Sequence, residues 1–350
     1  MPEQRYDPRV AAIDAQLVDP PDLEELKKNA VKFGILHLDE VMPAGLNVTD
    51  GEFITVKGIE GERKTTLVLN LVRNFCRAGS LGGSVIWDTL ESGASPRKVK
   101  AALIAMEAAA ILAVELWGGI AELPMTSPGP SKTGAPSPYR FADMRAICSR
   151  KDEETSRPIF ALGARRLLGT SRLPIVQAAL EKAKENVDKW PLLIFGAPQG
   201  QGGTKRMTTP INGEGAIDDH DPYRRWAKWV DKGARVIVVD HSSAYAVPQP
   251  YDRITKFVTH GSSIVAEKHV VMIAIAQTAL STGRKYEVGG PMMAQEASIS
   301  LETKYSRAKP YNLQVLPDKV RDEPPVDMNI PIEPSSGLLF PYSYPRRARR

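Results

Sequence analysis

Apolar and polar positions follow two different periods along this chain from Gly51 onward. Short, nearly continuous apolar runs are typical of strands buried on both faces, and longer segments with apolar residues at every third or fourth position are typical of amphipathic helices. Their alternation predicts an α/β fold: a mostly parallel, twisted sheet with helices on both faces. The predicted strands are Phe53–Lys57, Ser84–Asp88, Leu192–Phe195, Ala234–Val239, His269–Ile275, Ser298–Thr303 and Asn312–Leu316. The predicted helices are Lys64–Arg77, Pro96–Leu116, Leu173–Lys189, Pro222–Lys232 and Tyr251–Lys268.

Segments with neither period flank and interrupt this pattern. The polar residues 1–33 are expected to form an N-terminal arm with one short linker helix over Asp22–Val31. Stretches rich in Gly, Pro and polar residues near 121–140 and 199–220 predict insertions in exposed loops. A closing strand near Gly337–Phe340 and a basic C-terminal tail at 342–350 complete the chain. The pattern therefore predicts one domain over residues 34–341.

The composition excludes a membrane protein and a disulfide scaffold. Of 350 residues, 42% are hydrophobic and 25% are charged, which is ordinary for a folded domain. No apolar run reaches the roughly 20 residues of a membrane-spanning helix, and the N-terminal MPEQRYDPRV lacks a signal-peptide core. Cys76 and Cys148 are too few for a disulfide framework. We expect a cytoplasmic protein without a membrane partner, and its net charge of +5 permits nucleic-acid binding without requiring it.

A glycine-rich turn lies between the first predicted strand and its helix. Such a turn directs backbone N–H groups and the positive end of the helix dipole towards phosphate oxygens. Gly58 lies six residues before Lys64, the spacing of a P-loop, whose lysine reaches the β- and γ-phosphates of a nucleoside triphosphate. The next hydroxyl, of Thr65, is then expected to hold Mg²⁺. The other predicted nucleotide-binding residues of the turn are Gly61, Arg63 and Thr66.

Arg63 departs from the P-loop pattern, which has a glycine directly before the lysine. A Cβ and a long side chain at this tight turn are expected either to strain the backbone or to swing out over the nucleotide. For this segment alone, a strand–turn–helix without a phosphate site is the alternative.

Three polar residues follow other predicted strands. Asp240 ends the strongest apolar strand, where a carboxylate orients Mg²⁺ or its water in P-loop enzymes. Glu91 follows Ser84–Asp88 and would accept a proton from the attacking water. Gln277 follows the strand His269–Ile275 and would sense the γ-phosphate through a hydrogen bond. For Glu91 and Gln277, an ordinary surface position is the alternative.

The order of these elements resembles the RecA-like motor domain of DnaB-type replicative hexameric helicases over residues 34–341. GEFITVKGIEGERKTTLVLNLV is similar to the family's first strand, P-loop and helix, and DTLE at 88–91 to its segment with the catalytic glutamate. VIVVDH at 236–241 resembles the Walker B strand, and IAIAQ at 273–277 the strand that ends in a sensor glutamine. The resemblance implies a RecA-like P-loop NTPase that hydrolyses ATP with Mg²⁺.

The resemblance also implies a homo-oligomer, a ring of six subunits. PDKVRD at 317–322 is similar to the family's Lys-x-Arg pair, so Lys319 and Arg321 would reach the ATP site of the neighbouring subunit. An arginine supplied in this way stabilises charge on the γ-phosphate during hydrolysis. The linker helix Asp22–Val31 would pack on an adjacent subunit.

Single-stranded DNA is the partner that the resemblance implies, together with replication proteins such as a primase or a loader. In the family, DNA contacts two loops that face the channel of the ring. They correspond here to Ser242–Pro250 and to the segment between Gln277 and Gln295, in which Arg284 and Lys285 are the basic residues available to phosphates.

Departures from the family's pattern leave other functions open. Arg63 replaces a glycine, the second loop is short, and no segment of these 350 residues is expected to correspond to the family's N-terminal domain. These departures favour a divergent member, from a phage or plasmid in a bacterial host. One alternative is a KaiC-like or recombinase-like ATPase that assembles as a ring or filament without unwinding DNA. The other is a structural module with a degraded ATP site.

Overall fold

The computed structural model describes residues 30–43, 45–48, 50–78, 81–89, 96–117, 174–196, 222–242, 253–281, 284–287, 292–306, 312–320, 325–332 and 336–339. The helices are α1 (Leu36–Val41), α2 (Lys64–Ala78), α3 (Pro96–Trp117), α4 (Pro174–Lys189), α5 (Pro222–Asp231), α6 (Arg253–Lys268) and α7 (Met292–Glu296). The strands are β1 (Ala30–Val31), β2 (Leu46–Asn47), β3 (Glu52–Gly58), β4 (Ser84–Thr89), β5 (Leu192–Gly196), β6 (Ala234–Asp240), β7 (Val271–Ser281), β8 (Arg284–Glu287), β9 (Ile299–Tyr305), β10 (Asn312–Lys319) and β11 (Met328–Pro331).

A sheet of nine strands forms the centre of the domain. Its order is β11-β10-β9-β3-β7-β6-β4-β5, and β8 pairs with the far end of β7. The six strands from β9 to β5 in this order are parallel to one another. β10, β11 and β8 are antiparallel to their neighbours. The predicted α/β class with a mostly parallel sheet is therefore confirmed.

Both faces of the parallel strands are buried. In β6, Val236 and Val238 belong to an apolar cluster that includes side chains of α2, α3 and α4. Ile237 and Val239 belong to a second cluster, with side chains of α5 and α6. Successive side chains of a strand point to opposite faces, so two covered faces require an apolar residue at nearly every position.

An ionic network inside the first helical layer joins α2, α3 and α4. The carboxylate of Glu107, which is 1% exposed, accepts a hydrogen bond from Arg73 Nε at 2.9 Å and from Asn186 Nδ2 at 3.1 Å. Burial lowers the pKa of Arg73 to about 10, so its guanidinium stays protonated at neutral pH. A buried carboxylate is tolerated only with such partners, which explains a glutamate in the most apolar of the described helices.

The first described residues pack into the domain and correct one prediction. β1 pairs with β2, so the last two residues of the predicted helix Asp22–Val31 form a strand; residues 22–29 lie outside the described residues. Val31 and Phe33, directly before the predicted boundary at residue 34, are buried in the core. A strand of two residues is fixed by its pairing partner, which local sequence does not reveal.

The C-terminal part of the domain also differs from prediction. The closing strand is β11, and Leu339, within the predicted strand Gly337–Phe340, forms an isolated bridge with Ile332. The predicted loop between Gln277 and Gln295 includes an extension of β7, the paired strand β8 and the helix α7.

The insertions near 121–140 and 199–220 and the tail at 342–350 lie outside the described residues. Within the described ranges, no helix has both the length and the apolar character to cross a lipid bilayer.

Candidate nucleotide-binding site

The carboxyl ends of the parallel strands bring the P-loop, Asp240 and Gln277 to one edge of the sheet. The register pairs Gly58 of β3 with Gln277 of β7, and Thr89 of β4 with Asp240 of β6. Open α/β sheets bind ligands at this edge, where loops and helix N-termini converge. The predicted general base, Glu91, follows Thr89 by two positions and lies outside the described residues.

The turn between β3 and α2 has the backbone shape of a phosphate-binding loop. The N–H of Glu62 donates to the carbonyl oxygen of Ile59 at 3.2 Å, and Gly61 adopts a positive φ of 85°. α2 then begins at Lys64, and the first turn of a helix presents N–H groups that suit an anion. At Gly58, a Cβ would lie 2.9 Å from the carbonyl oxygen of Thr303, so the close approach of β9 requires glycine there.

Arg63 adopts a conformation that usually belongs to glycine. Its φ is +62°, in the left-handed region, which costs a residue with a Cβ about 1–2 kcal/mol. The guanidinium Cζ lies 4.9 Å from the centre of the Tyr305 ring, and the preceding Glu62 accepts a hydrogen bond from the Tyr305 N–H. The expected backbone strain is therefore present, and the side chain turns to the end of β9.

Lys64 is folded back onto the turn. Its ammonium donates to the carbonyl oxygens of Gly58 at 2.8 Å and Ile59 at 2.9 Å, and the residue is 6% exposed. A buried cation attracts an anion more strongly than an exposed one, because the surrounding dielectric is low. The side chain is thus held within the turn that would surround the phosphates.

Thr65 and Asp240 meet beside this turn. The Thr65 hydroxyl lies 3.5 Å from Asp240 Oδ1, and His241 Nε2 lies 3.8 Å from the same oxygen. A hydroxyl and a carboxylate are hard oxygen donors that suit Mg²⁺. In the described part of the chain, no group of three His, Cys, Asp or Glu side chains forms a metal site. A Mg²⁺ ion held here would therefore take its other ligands from phosphates and water.

Below the site, β4 carries a buried ion pair that the sequence did not predict. Asp88 is fully buried, and its Oδ2 accepts hydrogen bonds from Arg225 Nε at 3.1 Å and Trp226 Nε1 at 2.8 Å. The Arg225 guanidinium also lies 5.6 Å from the ring centre of Phe195. This pair fixes α5 against the strand that leads to Glu91. An aspartate inside an apolar strand was the available signal, because a buried charge needs a partner.

Of the two residues predicted to act on a neighbouring subunit, Lys319 lies opposite Ser300, near the start of β9. Lys319 ends β10, and its ammonium donates to the carbonyl oxygen of Gln295 at 2.8 Å. Arg321 lies outside the described residues. Arg284 and Lys285 begin β8, where they pair with Ser281 and Leu280 of β7.

The P-loop turn follows β3 in a mostly parallel sheet. One edge of this sheet carries Lys64, Thr65 and Asp240. Together these features define a RecA-like P-loop fold. No protein-family model and no curated protein sequence matches the chain. Solved structures do match it. One is the ATPase domain of another protein; it is 14% identical, with a TM-score of 0.58 over 98% of this chain and 100% of that domain.

A second similar structure is a DnaB-like replicative helicase, from a study of its interactions with primase. It is 14% identical, with a TM-score of 0.57 over 95% of this chain and 71% of the helicase. At this identity the likeness concerns the fold. It confirms the predicted RecA-like fold and agrees with the resemblance to DnaB-type motor domains.

Proposed function

We propose that this protein is an ATPase that binds Mg·ATP at the edge of the sheet and hydrolyses it within a ring that moves along single-stranded DNA in replication. The convergence of Lys64, Thr65 and Asp240 is the observation that carries the proposal. These residues come from the P-loop helix and from a strand far away in sequence, yet they meet at one point. The fold shared with a DnaB-like helicase supports the motor function.

At the subunit's own site, each residue has a distinct task. Lys64 exchanges the carbonyl oxygens of its turn for phosphate oxygens. Thr65 and Asp240 hold the Mg²⁺, which when bound neutralises phosphate charge. Glu91 accepts the proton of the attacking water, and Gln277 donates a hydrogen bond to the γ-phosphate. The backbone N–H groups of Gly61, Arg63 and Thr66 surround the phosphates.

The neighbouring subunit completes the site. Lys319 and Arg321 extend to the γ-phosphate bound by the next protomer and stabilise the charge that develops during phosphoryl transfer. Hydrolysis then depends on assembly. DNA lies in the channel of the ring, against Arg284 and Lys285, and a primase or loader is the class of replication partner that we expect.

The proposal is tested by comparing two substitutions of the same kind. Lys64→Met removes the cation of the P-loop, and Lys184→Met removes an exposed cation of α4. We expect Lys64→Met to lower the rate of ATP hydrolysis by about a hundredfold or more. Lys184→Met should hydrolyse ATP like the wild-type protein, and oligo-dT should stimulate both the wild type and this control.

The proposed action on DNA is tested separately from ATP hydrolysis. Electron microscopy with a non-hydrolysable ATP analogue and oligo-dT should show six-membered rings with density in the channel, and a forked duplex should be unwound. Hydrolysis and assembly without strand displacement would favour a ring or filament ATPase that does not unwind DNA. Binding of Mg·ATP without hydrolysis would favour a structural module.

A further inference from the structure

The P-loop turn is tied to the end of β9 by contacts that phosphate binding does not need. The Glu62 carboxylate accepts the N–H of Tyr305, and the Arg63 guanidinium lies over the Tyr305 ring. Gly58 packs directly against the Thr303 carbonyl. Phosphates are bound by backbone N–H groups and the lysine, so these side chains serve another purpose.

β3 is also linked to β10, the strand beyond β9. Lys57, directly before the P-loop, forms an ion pair with Asp318, with Nζ and Oδ2 2.5 Å apart. The register between β9 and β10 shifts between Pro317 and Lys319. A bulge of this kind redirects a side chain, and Asp318 is the residue inside the shift.

β9 and β10 form one antiparallel hairpin, so both links act on the same unit. The strands pair along their length, and the N–H of Ser306 donates to the carbonyl oxygen of Asn312 at 2.9 Å. Asp318 directly precedes Lys319, and Arg321 follows two positions later. A packed pair of strands can carry a displacement at one end to the other.

We propose that Arg63, Tyr305 and Asp318 are positioning residues that couple nucleotide binding at a subunit's own P-loop to the placement of Lys319, which the proposed function assigns to the next subunit's ATP site. The inference rests on the proposed function. It explains why arginine occupies a glycine position: glycine would fit the backbone but would leave the Tyr305 ring without its contact to the Arg63 guanidinium. Arg63 is then a link between sites, and the P-loop is not degraded.

The test compares variants that remove a contact between the P-loop region and the β9–β10 hairpin with one variant that retains it. Tyr305→Leu removes the aromatic face, whereas Tyr305→Phe retains the face and the backbone N–H. Asp318→Asn removes the charge that pairs with Lys57 and leaves every residue of the P-loop unchanged. Each full-length protein is assayed for the affinity of a non-hydrolysable ATP analogue with Mg²⁺, for kcat, and for the Hill coefficient of hydrolysis against ATP concentration.

We expect Tyr305→Leu and Asp318→Asn to bind the analogue within about twofold of wild type, but to lower kcat about tenfold, because a misplaced catalytic group costs rate more than affinity. Their Hill coefficients should fall towards 1, and Tyr305→Phe should behave as wild type. Arg63→Gly should show the same loss of kcat and cooperativity. Urea denaturation verifies that each variant is folded.

Three results would overturn the inference while the proposed function stands. The first is wild-type kcat and Hill coefficient in both Tyr305→Leu and Asp318→Asn. The second is an Arg63→Gly protein that only loses affinity for the analogue, which would make Arg63 a simple ligand contact. The third is a wild-type ring that hydrolyses ATP without cooperativity. A wild-type protein that neither binds nor hydrolyses Mg·ATP would instead refute the proposed function, and this inference with it.

Discussion

The Thr65 hydroxyl lies 3.5 Å from a carboxylate oxygen of Asp240, although 175 positions separate the two residues in the chain. Thr65 belongs to the first turn of α2 and Asp240 ends β6, so the contact depends on the parallel sheet that places the ends of β3 and β6 at the same edge. Two oxygen donors at this separation can share one small cation. This pair is therefore where we propose that Mg²⁺ is bound.

Replacing Asp240 by asparagine should remove the metal ligand while preserving the shape of the site. We expect kcat for ATP hydrolysis to fall by about 10²–10³-fold. The reason is that loss of a metal ligand removes a few kcal/mol of transition-state stabilisation. ATP should bind equally well with Mg²⁺ and with EDTA, whereas Mg²⁺ should strengthen binding to the wild-type protein. Isothermal titration and a phosphate-release assay measure the two effects.

The matched control is Asp231→Asn, which changes an exposed aspartate that pairs with Lys268 at 2.8 Å. It should leave hydrolysis and the effect of Mg²⁺ unchanged. If Asp240→Asn kept a normal kcat and a normal response to Mg²⁺, the assignment of the metal site to this pair would be wrong.

The buried pair of Arg225 and Asp88 should respond to substitution unlike a surface ion pair. Arg225→Met leaves the carboxylate of Asp88 buried without its cation, and we expect the free energy of unfolding to fall by about 3–5 kcal/mol. Adding Asp88→Leu removes the uncompensated charge, so the double variant should be more stable than Arg225→Met by about 1–3 kcal/mol. Urea denaturation of the four proteins of the cycle measures both values.

Lys268→Met provides the comparison at the surface, because it breaks the exposed pair with Asp231 and should change stability little. A double variant no more stable than Arg225→Met would show that the uncompensated charge of Asp88 does not cause the loss.

The central strands were predictable because they are buried on both faces. The predicted Ala234–Val239 and the observed Ala234–Asp240 differ by one residue, since the apolar run itself marks the strand. The short elements β1, α1 and β2 were not predicted. Two-residue strands and a helix of six residues carry too few positions to show a period, and they depend on the core that they cover.

In the candidate site, too, features set by neighbouring residues could be predicted, whereas contacts between residues far apart in the chain could not. The spacing from Gly58 to Thr65 is local, and it correctly predicts a turn with Lys64 inside it. The partners of Asp88 are not local: Arg225 and Trp226 follow it by 137 and 138 positions. Arg63 was singled out by its departure from a pattern, but its partner Tyr305 lies on another strand and is known only from the packing of β9.

Stability should depend on pH through His37 in α1. Burial lowers the pKa of His37 from 6.5, although the charge of Glu40 opposes the shift, and Nδ1 has no hydrogen-bond partner among the described residues. Between the lowered folded value and 6.5, the unfolded chain binds a proton that the folded protein does not. The stability that His37 contributes is thus fully present above pH 6.5 and is lost as the pH falls below that value.

His37→Leu removes this titration. We expect the variant to lose less unfolding free energy than the wild-type protein between about pH 7.5 and about pH 5.5. The difference between the two proteins isolates His37 from the carboxylates that also titrate. Equal losses in both proteins would show that His37 accepts its proton as easily when folded as when unfolded.

Asn70 holds the last described segment against the P-loop helix and should be difficult to replace. Its Nδ2 donates to the carbonyl oxygens of Thr66 at 2.8 Å and Gly337 at 2.9 Å, and its Oδ1 accepts the N–H of Leu339 at 2.9 Å. Asn70→Leu leaves buried backbone groups of residues 337 and 339 without this partner, so the free energy of unfolding should fall by about 2–4 kcal/mol in urea denaturation. Asn329→Leu, at an exposed position of β11, is the matched control and should stay within about 0.5 kcal/mol of wild type. An equally small change in Asn70→Leu would mean that the hydrogen bonds of Asn70 to residues 337 and 339 contribute nothing to the stability of the domain.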